Sequence, residues 1–187
     1  KYSSSVTEEV FILTDVGTFT IPEGKGFNTL EYLVVAGGGG GGKQVGGGGG
    51  AGGLRTGTGI SVTEGQVVTY SVGGGGNKAP NSGVPFVNAT NGSDSYLSIG
   101  STHIGTNGGG FGAIMHPGYY NAGHGGCGGG ASSPSGVYGN GDTGTISGPV
   151  TGENTSRTPV VQGFRGGSGG HPSDGGAPFA GGGGEAA

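Results

Sequence analysis

The sequence predicts a mainly β and irregular fold with no α-helix: a small N-terminal antiparallel β-sandwich followed by a bundle of polyglycine-II helices with surface loops. Three observations predict it. Glycine accounts for 55 of the 187 residues, where ordinary proteins carry about 7%. These glycines are clustered, and the first two blocks follow directly on a β-branched apolar run, Tyr32-Leu33-Val34-Val35-Ala36. Upstream and downstream of that run lie further short apolar stretches with a period of two, the signature of half-buried strands.

The glycine blocks cannot be helices, because each Gly costs about 0.8–1.0 kcal/mol relative to Ala in a helix interior. They make poor strands as well, since Gly brings no side chain to pack. Consecutive glycines do suit the extended threefold helix of polyproline-II geometry, which rises about 3.1 Å per residue and has no internal hydrogen bonds. Its N–H and C=O groups point outward, and without Cβ atoms neighbouring helices can approach until those groups bond one another. The tracts therefore read as a core made of backbone.

In chain order, residues 1–9 are polar and read as an arm or a connection to an upstream element. Val10-Phe11-Ile12-Leu13 is a strand candidate. Thr18-Phe19-Thr20-Ile21 alternates and is ended by the turn residues Pro22-Glu23-Gly24. The strand over 31–36 follows, then 54–62, a turn at Glu64-Gly65, and 66–72, in which Val68, Tyr70 and Val72 share one face. Residues 1–72 are thus expected to form the strand-rich part, and residues 73–187 the glycine-rich bundle. The expected bundle tracts are bounded or marked by Gly37 and Gly42, Gly46 and Gly50, Gly73 and Gly76, Gly108, Gly128, and Gly181 and Gly184, with a further block at 166–170. The segments between them are unequal in length, which excludes both collagen's triplet and a solenoid's fixed period. Beyond residue 73 only 95–100 reads as another strand.

Composition bounds the function. Proline plus glycine passes the share at which a chain is classed as low-complexity or disordered. Ordering the tracts costs about 1–2 kcal/mol of backbone entropy per residue, so inter-tract hydrogen bonds or contacts with other chains must offset it. A net charge of −4 with seven basic residues argues against nucleic acid, which wants a basic stripe. The lone Cys127 excludes an intrachain disulfide framework. No run approaches the ~18 apolar residues of a membrane helix.

Several motifs match by letter and fail by context. Gly37, Gly42 and Lys43 fit the phosphate-binding loop, but Gln44 stands where a hydroxyl is needed and the glycines that follow cannot open a helix. Residues 166–170 spell G-x-S-x-G around Ser168, without an α/β-hydrolase scaffold. His124 and Cys127, with His103 and His116 upstream, fall short of the four-ligand set that zinc uses. Gly139-Asn140-Gly141-Asp142 is a single copy of a calcium pattern that works in arrays. Sequons stand at Asn88, Asn91 and Asn154. No paired carboxylates for acid–base work are visible, so no enzyme, metal or cofactor is expected.

The long segments 77–107, 111–124 and 131–165 look chemically like binding loops. They carry Phe111, Met115, His116, Tyr119, Tyr120, Asn121, Tyr138, Asn140, Asn154 and Arg157, the mix of aromatic, amide and arginine side chains that recognition loops use. Phe111, Ile114 and Met115 read equally as a hydrophobic plug beneath a loop.

The run from Thr18 to Gly24, the run from Glu31 through Ala36 into Gly37-Gly38-Gly39-Gly40, and Gly52-Gly53-Leu54-Arg55-Thr56-Gly57 together resemble a glycine-rich module of bacteriophage and metagenomic proteins. More loosely, the chain resembles the glycine-rich tail-fibre adhesins of T-even-like phages. That resemblance implies a bundle of polyglycine-II helices capped by variable loops that bind a host surface protein or glycan, in an extracellular, virion setting. It also implies an upstream fibre protein as a partner, with residues 1–9 as the contact. The alternative expectation is a self-assembling filament or virion decoration subunit, with copies of itself as the partner and the aromatic loops as interfaces. Neither reading involves nucleic acid or membrane insertion.

Overall fold

A computed structural model describes residues 8–43, 46–80, 87–114, 116, 121–132 and 166, and the backbone of 146–147. Among the described residues there is no helix, and the strands form two antiparallel sheets. The chain order is β1 (Val16–Thr20), β2 (Thr29–Val35), β3 (Leu54–Ser61), β4 (Val67–Ser71), β5 (Ser95–Ile99), β6 (Thr102–Thr106) and β7 (Ile146–Ser147). One sheet has the order β1-β4-β5-β6-β7 and the other is the pair β2-β3.

The alternating runs form strands because one face of each finds a core. Tyr32, Val34, Ile60, Val68, Leu97, Ile99 and Ile104, with Ile21 and Val62, are buried together, and Phe19, Phe27 and Leu30 pack against them. Register places three glycines opposite tyrosines: Gly17 faces Tyr70, Gly57 faces Tyr32 and Gly105 faces Tyr96. A Cβ at Gly57 would lie 2.6 Å from the Tyr32 ring, so the missing side chain is the space into which the ring folds. Turn chemistry fits as well. Gly65 has φ 76° at the third position of the turn 63–66, closed by Gln66 N–H donating to the Thr63 carbonyl, which is what a type II turn requires. Gly100, at φ 56°, opens the two-residue turn between β5 and β6.

The segment 8–14 departs from expectation. Val10-Phe11-Ile12-Leu13 is not a strand: Val10 is 76% and Ile12 84% exposed, while Leu13 is half-buried and the Phe11 ring lies 4.2 Å from that of Phe19. The apolar run is real, but no described strand pairs with it. Residues 102–106, read within a loop segment, instead form β6, so most of 77–107 belongs to tract and sheet.

Above the sandwich the strands run on into the glycine tracts without losing register. The pair Val35↔Leu54 continues as Ala36 N–H to Gly53 C=O, Gly39 N–H to Gly50 C=O and Gly42 N–H to Gly47 C=O, at 3.0, 2.8 and 3.0 Å. Pairing of β4 with β5 continues as Ser93 N–H to Gly74 C=O and Thr90 N–H to Asn77 C=O. That of β5 with β6 continues as Gly92 N–H to Gly109 C=O. Where the bonds repeat along a tract, they recur every third residue. Each tract thereby acquires three faces, and the additional face bonds across to the other sheet. Gly37 and Gly40 donate to Ser93 and Thr90, Gly76 and Ala79 donate to Gly38 and Gly41, and Gly109 and Gly112 donate to Gly37 and Gly40. Gly47, Gly50 and Gly53 donate to Ala113, Gly110 and Asn107. A last described stretch, 127–130, inserts beside them, with Cys127 and Gly130 donating to Ala51 and Gly48.

Close approach explains the glycines face by face. A Cβ on Gly37, Gly39, Gly40 or Gly42 would overlap the backbone of Gly74, Gly110, Asn77 or Ala113. Between them, Gly41 has nothing within 4 Å and Gly38 only the Gly50 oxygen at 3.6 Å. Gly39→Ala and Gly40→Ala are therefore expected to cost about 2–3 kcal/mol or more by overpacking. Gly38→Ala and Gly41→Ala should be neutral, or stabilising by up to about 1 kcal/mol through the unfolded chain. Urea unfolding of the four variants checks this, and equal losses at all four would contradict the lattice.

The far end of the sandwich is pinned by Glu64, whose carboxylate accepts from the N–H groups of Gly24, Lys25 and Gly26. The bonds from Gly24 and Gly26 pull its pKa below the ordinary 4.5, because they favour the charged form. A depressed carboxyl contributes stability that is complete above the ordinary value and is lost as the pH falls through the folded one. Thermal stability should thus decline below about pH 4.5 more steeply in the parent protein than in Glu64→Gln. Parallel curves for the two would show that the turn does not depend on the carboxylate.

Candidate functional site

The hydrogen-bonded tracts put the described ends of four connections together at the end remote from the sandwich. The tract leaving β2 ends at Lys43 and returns from residue 46. That leaving β4 ends at Pro80 and returns at Val87, and that leaving β6 ends at Ile114 and returns at Asn121. The fourth connection leaves from Ser132. This distal end is the candidate site, since the tracts below it are occupied with one another.

Its described floor is apolar. Ala79, Ala89 and Ile114 are buried together and Phe111 packs against them, so Phe111 stands beside the plug with Ile114. Ser132 is fully buried and donates its hydroxyl to the Ile114 carbonyl at 2.8 Å, tying the fourth connection to the third. Lys43, only 5% exposed, lies at the turn between the first two tracts. Residues 46–50 form an extended tract, so among the described residues the helix a phosphate loop needs is not there. His116 is partly exposed, its N–H bonded to the Ile114 carbonyl, and Asn121 is exposed. Met115, Tyr119, Tyr120, Tyr138, Asn140, Asn154 and Arg157 lie outside the described residues, as do Gly181 and Gly184. Gly37, Gly50, Gly108 and Gly128 are buried, while Gly42, Gly46, Gly73 and Gly76 are partly so.

The structure separates the residues considered for metal binding. His103 sits on β6 bonded to Ser98, His124 is exposed, and Cys127 is fully buried among the tracts. Among the described residues no group of three His, Cys, Asp or Glu comes together.

Residues 89–94, Ala-Thr-Asn-Gly-Ser-Asp, expected within the binding-loop segment 77–107, hold one glycine and lie in the tract array that leads into Ser95 of β5. Short polar side chains do there what backbone does elsewhere. Thr90 Oγ1 accepts from Asn77 N–H, Asp94 Oδ1 from Gly108 N–H and Ser95 Oγ from Gly73 N–H, each at 2.8 Å. Asn91 accepts from Phe111 N–H at 2.9 Å and donates to the His124 carbonyl at 2.8 Å. Its carboxamide replaces a peptide unit between two tracts beneath the distal end. The sequon asparagine is thus engaged at both ends of its amide. The available signal was compositional, since Asn, Asp, Ser and Thr are the residues that bond local backbone.

A family model described as a glycine-rich domain matches residues 14–187. Nothing among curated proteins and nothing among solved structures matches the chain.

Removing the Asn91 amide leaves one N–H and one C=O without their partner. Asn91→Ala should lower unfolding free energy by about 1–2 kcal/mol, and Asn91→Asp, which keeps the acceptor, by less. Chemical denaturation measures both. Stability unchanged in Asn91→Ala would mean that water bridges the gap equally well.

Proposed function

The chain belongs to the glycine-rich domain family, and from that premise we propose that it is a non-enzymatic receptor-binding module of a phage tail-fibre tip, contacting a host surface protein or glycan through its distal loops. The observation that carries this reading is the hydrogen bonding that recurs every third residue and joins both sheets above the sandwich. A threefold period without internal bonds is the property of polyproline-II-type helices, and it supports reading the tracts as a polyglycine-II bundle. Such a bundle is a stiff platform that carries variable connections at one end. Preorganised presentation lowers the ordering cost of binding, and an aromatic, amide and arginine palette supplies contact area cheaply.

A second reading, a self-assembling extracellular or virion subunit, is favoured by other residues. Val10 and Ile12 are exposed beside β1, and Leu33 and Val35 are exposed on the outer face of the two-stranded sheet. Exposed apolar side chains of this kind are the sort of surface through which copies associate.

Binding of the purified chain to outer-membrane protein and surface glycan from a bacterial host tests the first reading. Tyr119→Ala with Tyr120→Ala should weaken it at least about tenfold with an unchanged melting temperature. Undiminished binding would remove those residues from the contact surface. Electron microscopy of the same preparation separates the readings, since filaments support assembly and discrete particles support adhesion.

A further inference from the structure

The outer face of the larger sheet is organised in cross-strand rows. Register places Thr18, Thr69, Ser98 and His103 side by side, one from each of β1, β4, β5 and β6. At about 4.8 Å between strands the row is roughly 14 Å long. Beside it run Val16, Ser71, Tyr96 and Gly105. The intervening residues Phe19, Val68, Leu97, Ile99 and Ile104 belong to the core, so strand alternation turns these two rows outward.

Two contacts fix the middle of the face. Ser98 Oγ and His103 Nδ1 are 2.6 Å apart, and the Tyr96 ring centroid lies 5.4 Å from the imidazole, tilted by 34°. The serine bond holds the imidazole plane and leaves Nε2 able to donate or accept, whichever role Nδ1 does not take. Neither row contains Asp, Glu, Lys or Arg. A face meant for nucleic acid or an anionic chain would carry cations. An oily partner would find hydroxyls across its middle.

The remaining match is an uncharged ligand that offers both C–H faces and many hydroxyls. We propose that this face binds a neutral oligosaccharide laid across β4–β6. Tyr96 stacks on a sugar ring, whose C–H bonds meet the negative face of the aromatic. Ser98, His103 Nε2, Thr69 and Thr18 hydrogen-bond its hydroxyls. The site lies on the sandwich, away from the distal end, and does not rest on the function proposed there.

The test is titration of the full 15N-labelled chain, followed by amide NMR, with cellohexaose, maltohexaose, mannohexaose and xylohexaose at millimolar concentration. At least one should shift resonances of β4, β5 and β6 while leaving residues 113–122 unmoved. Tyr96→Ala should weaken that binding about tenfold or more, and Tyr96→Phe by less than about threefold. Thr69→Arg, at an exposed position that leaves the core untouched, should block it, which keeps the test decisive if Tyr96→Ala fails to fold. No shift with any of the four sugars, shifts confined to the distal end, or full binding by the folded Tyr96→Ala or Thr69→Arg chain would each overturn the assignment.

Discussion

The distance between two sheets is the constraint on which this molecule depends. Sheets that face each other through side chains stand about 10 Å apart, whereas backbones that bond directly stand about 4.8 Å apart. In the sandwich the first spacing applies, and Tyr32, Val34, Val68, Leu97 and Ile104 fill it. A few residues further on, Gly37 and Gly40 of one sheet's extension donate straight to Ser93 and Thr90 of the other's. The transition demands that side chains vanish from the segments crossing it, or, as at 89–95, shrink to polar groups that bond the neighbouring backbone. Ala36 and Gly37 mark that point on one side, and Asn107 and Gly108 on the other.

This account explains how so costly a composition can be ordered. A strand in a sheet has neighbours on two sides, but the 36–42 tract exchanges bonds with the tracts extending β3, β4, β5 and β6. Glycine loses more backbone entropy than any other residue, and here the additional bonded face is the compensation. The same logic accounts for the polar stretch at 89–95. Where a tract borders neighbours with a gap to fill, a carboxamide, hydroxyl or carboxylate can stand in for a peptide group, and Asn91 does so in both directions at once.

Much of this fold was legible in the sequence. Of the strands later labelled β1 to β5, β1 and β4 announce themselves through alternation and β2 through a continuous β-branched apolar run, and the blocks at 37–42 and 46–50 through the absence of any other ordered use for glycine. Three features were not legible. Val10-Phe11-Ile12-Leu13 has a strand's composition and no described partner, because a short apolar run reports a preference for burial and says nothing of what lies alongside. The strand β6, Thr-His-Ile-Gly-Thr, offers one large apolar residue, Ile104; its membership is decided by pairing with β5. The 89–95 tract escaped because its hydrogen bonds are made by side chains, so a search for glycine passes over it. As for the candidate site, the sequence marked 111–124 as a loop segment between glycine tracts. It did not show that Gly112, Ala113 and Gly123, within that segment read whole as a loop, would bond to other tracts. Nor did it show that Phe111 would sit against Ala79, Ala89 and Ile114, since that cluster forms only once three tracts are in register.

Register carried by backbone has a consequence for how such a protein can vary. In an ordinary sandwich a change in a connecting loop is felt through side-chain packing at the strand ends, because the core continues to the last residue. Here the tracts lie between the packed core and the distal connections, and a tract's position is set by amides and carbonyls that every residue possesses. The described ends at Lys43, Pro80, Val87, Ile114 and Asn121 are therefore held by a framework indifferent to the chemistry of what joins them. Among the described residues, the small cluster around Ile114 and the Ser132 hydroxyl couple one connection to another. Loop length costs little entropy on closure, rising only as its logarithm, so the connections can differ freely while their anchor points stay fixed. A recognition surface built on such anchors would change its specificity by exchanging the connections, without altering the register of the tracts beneath.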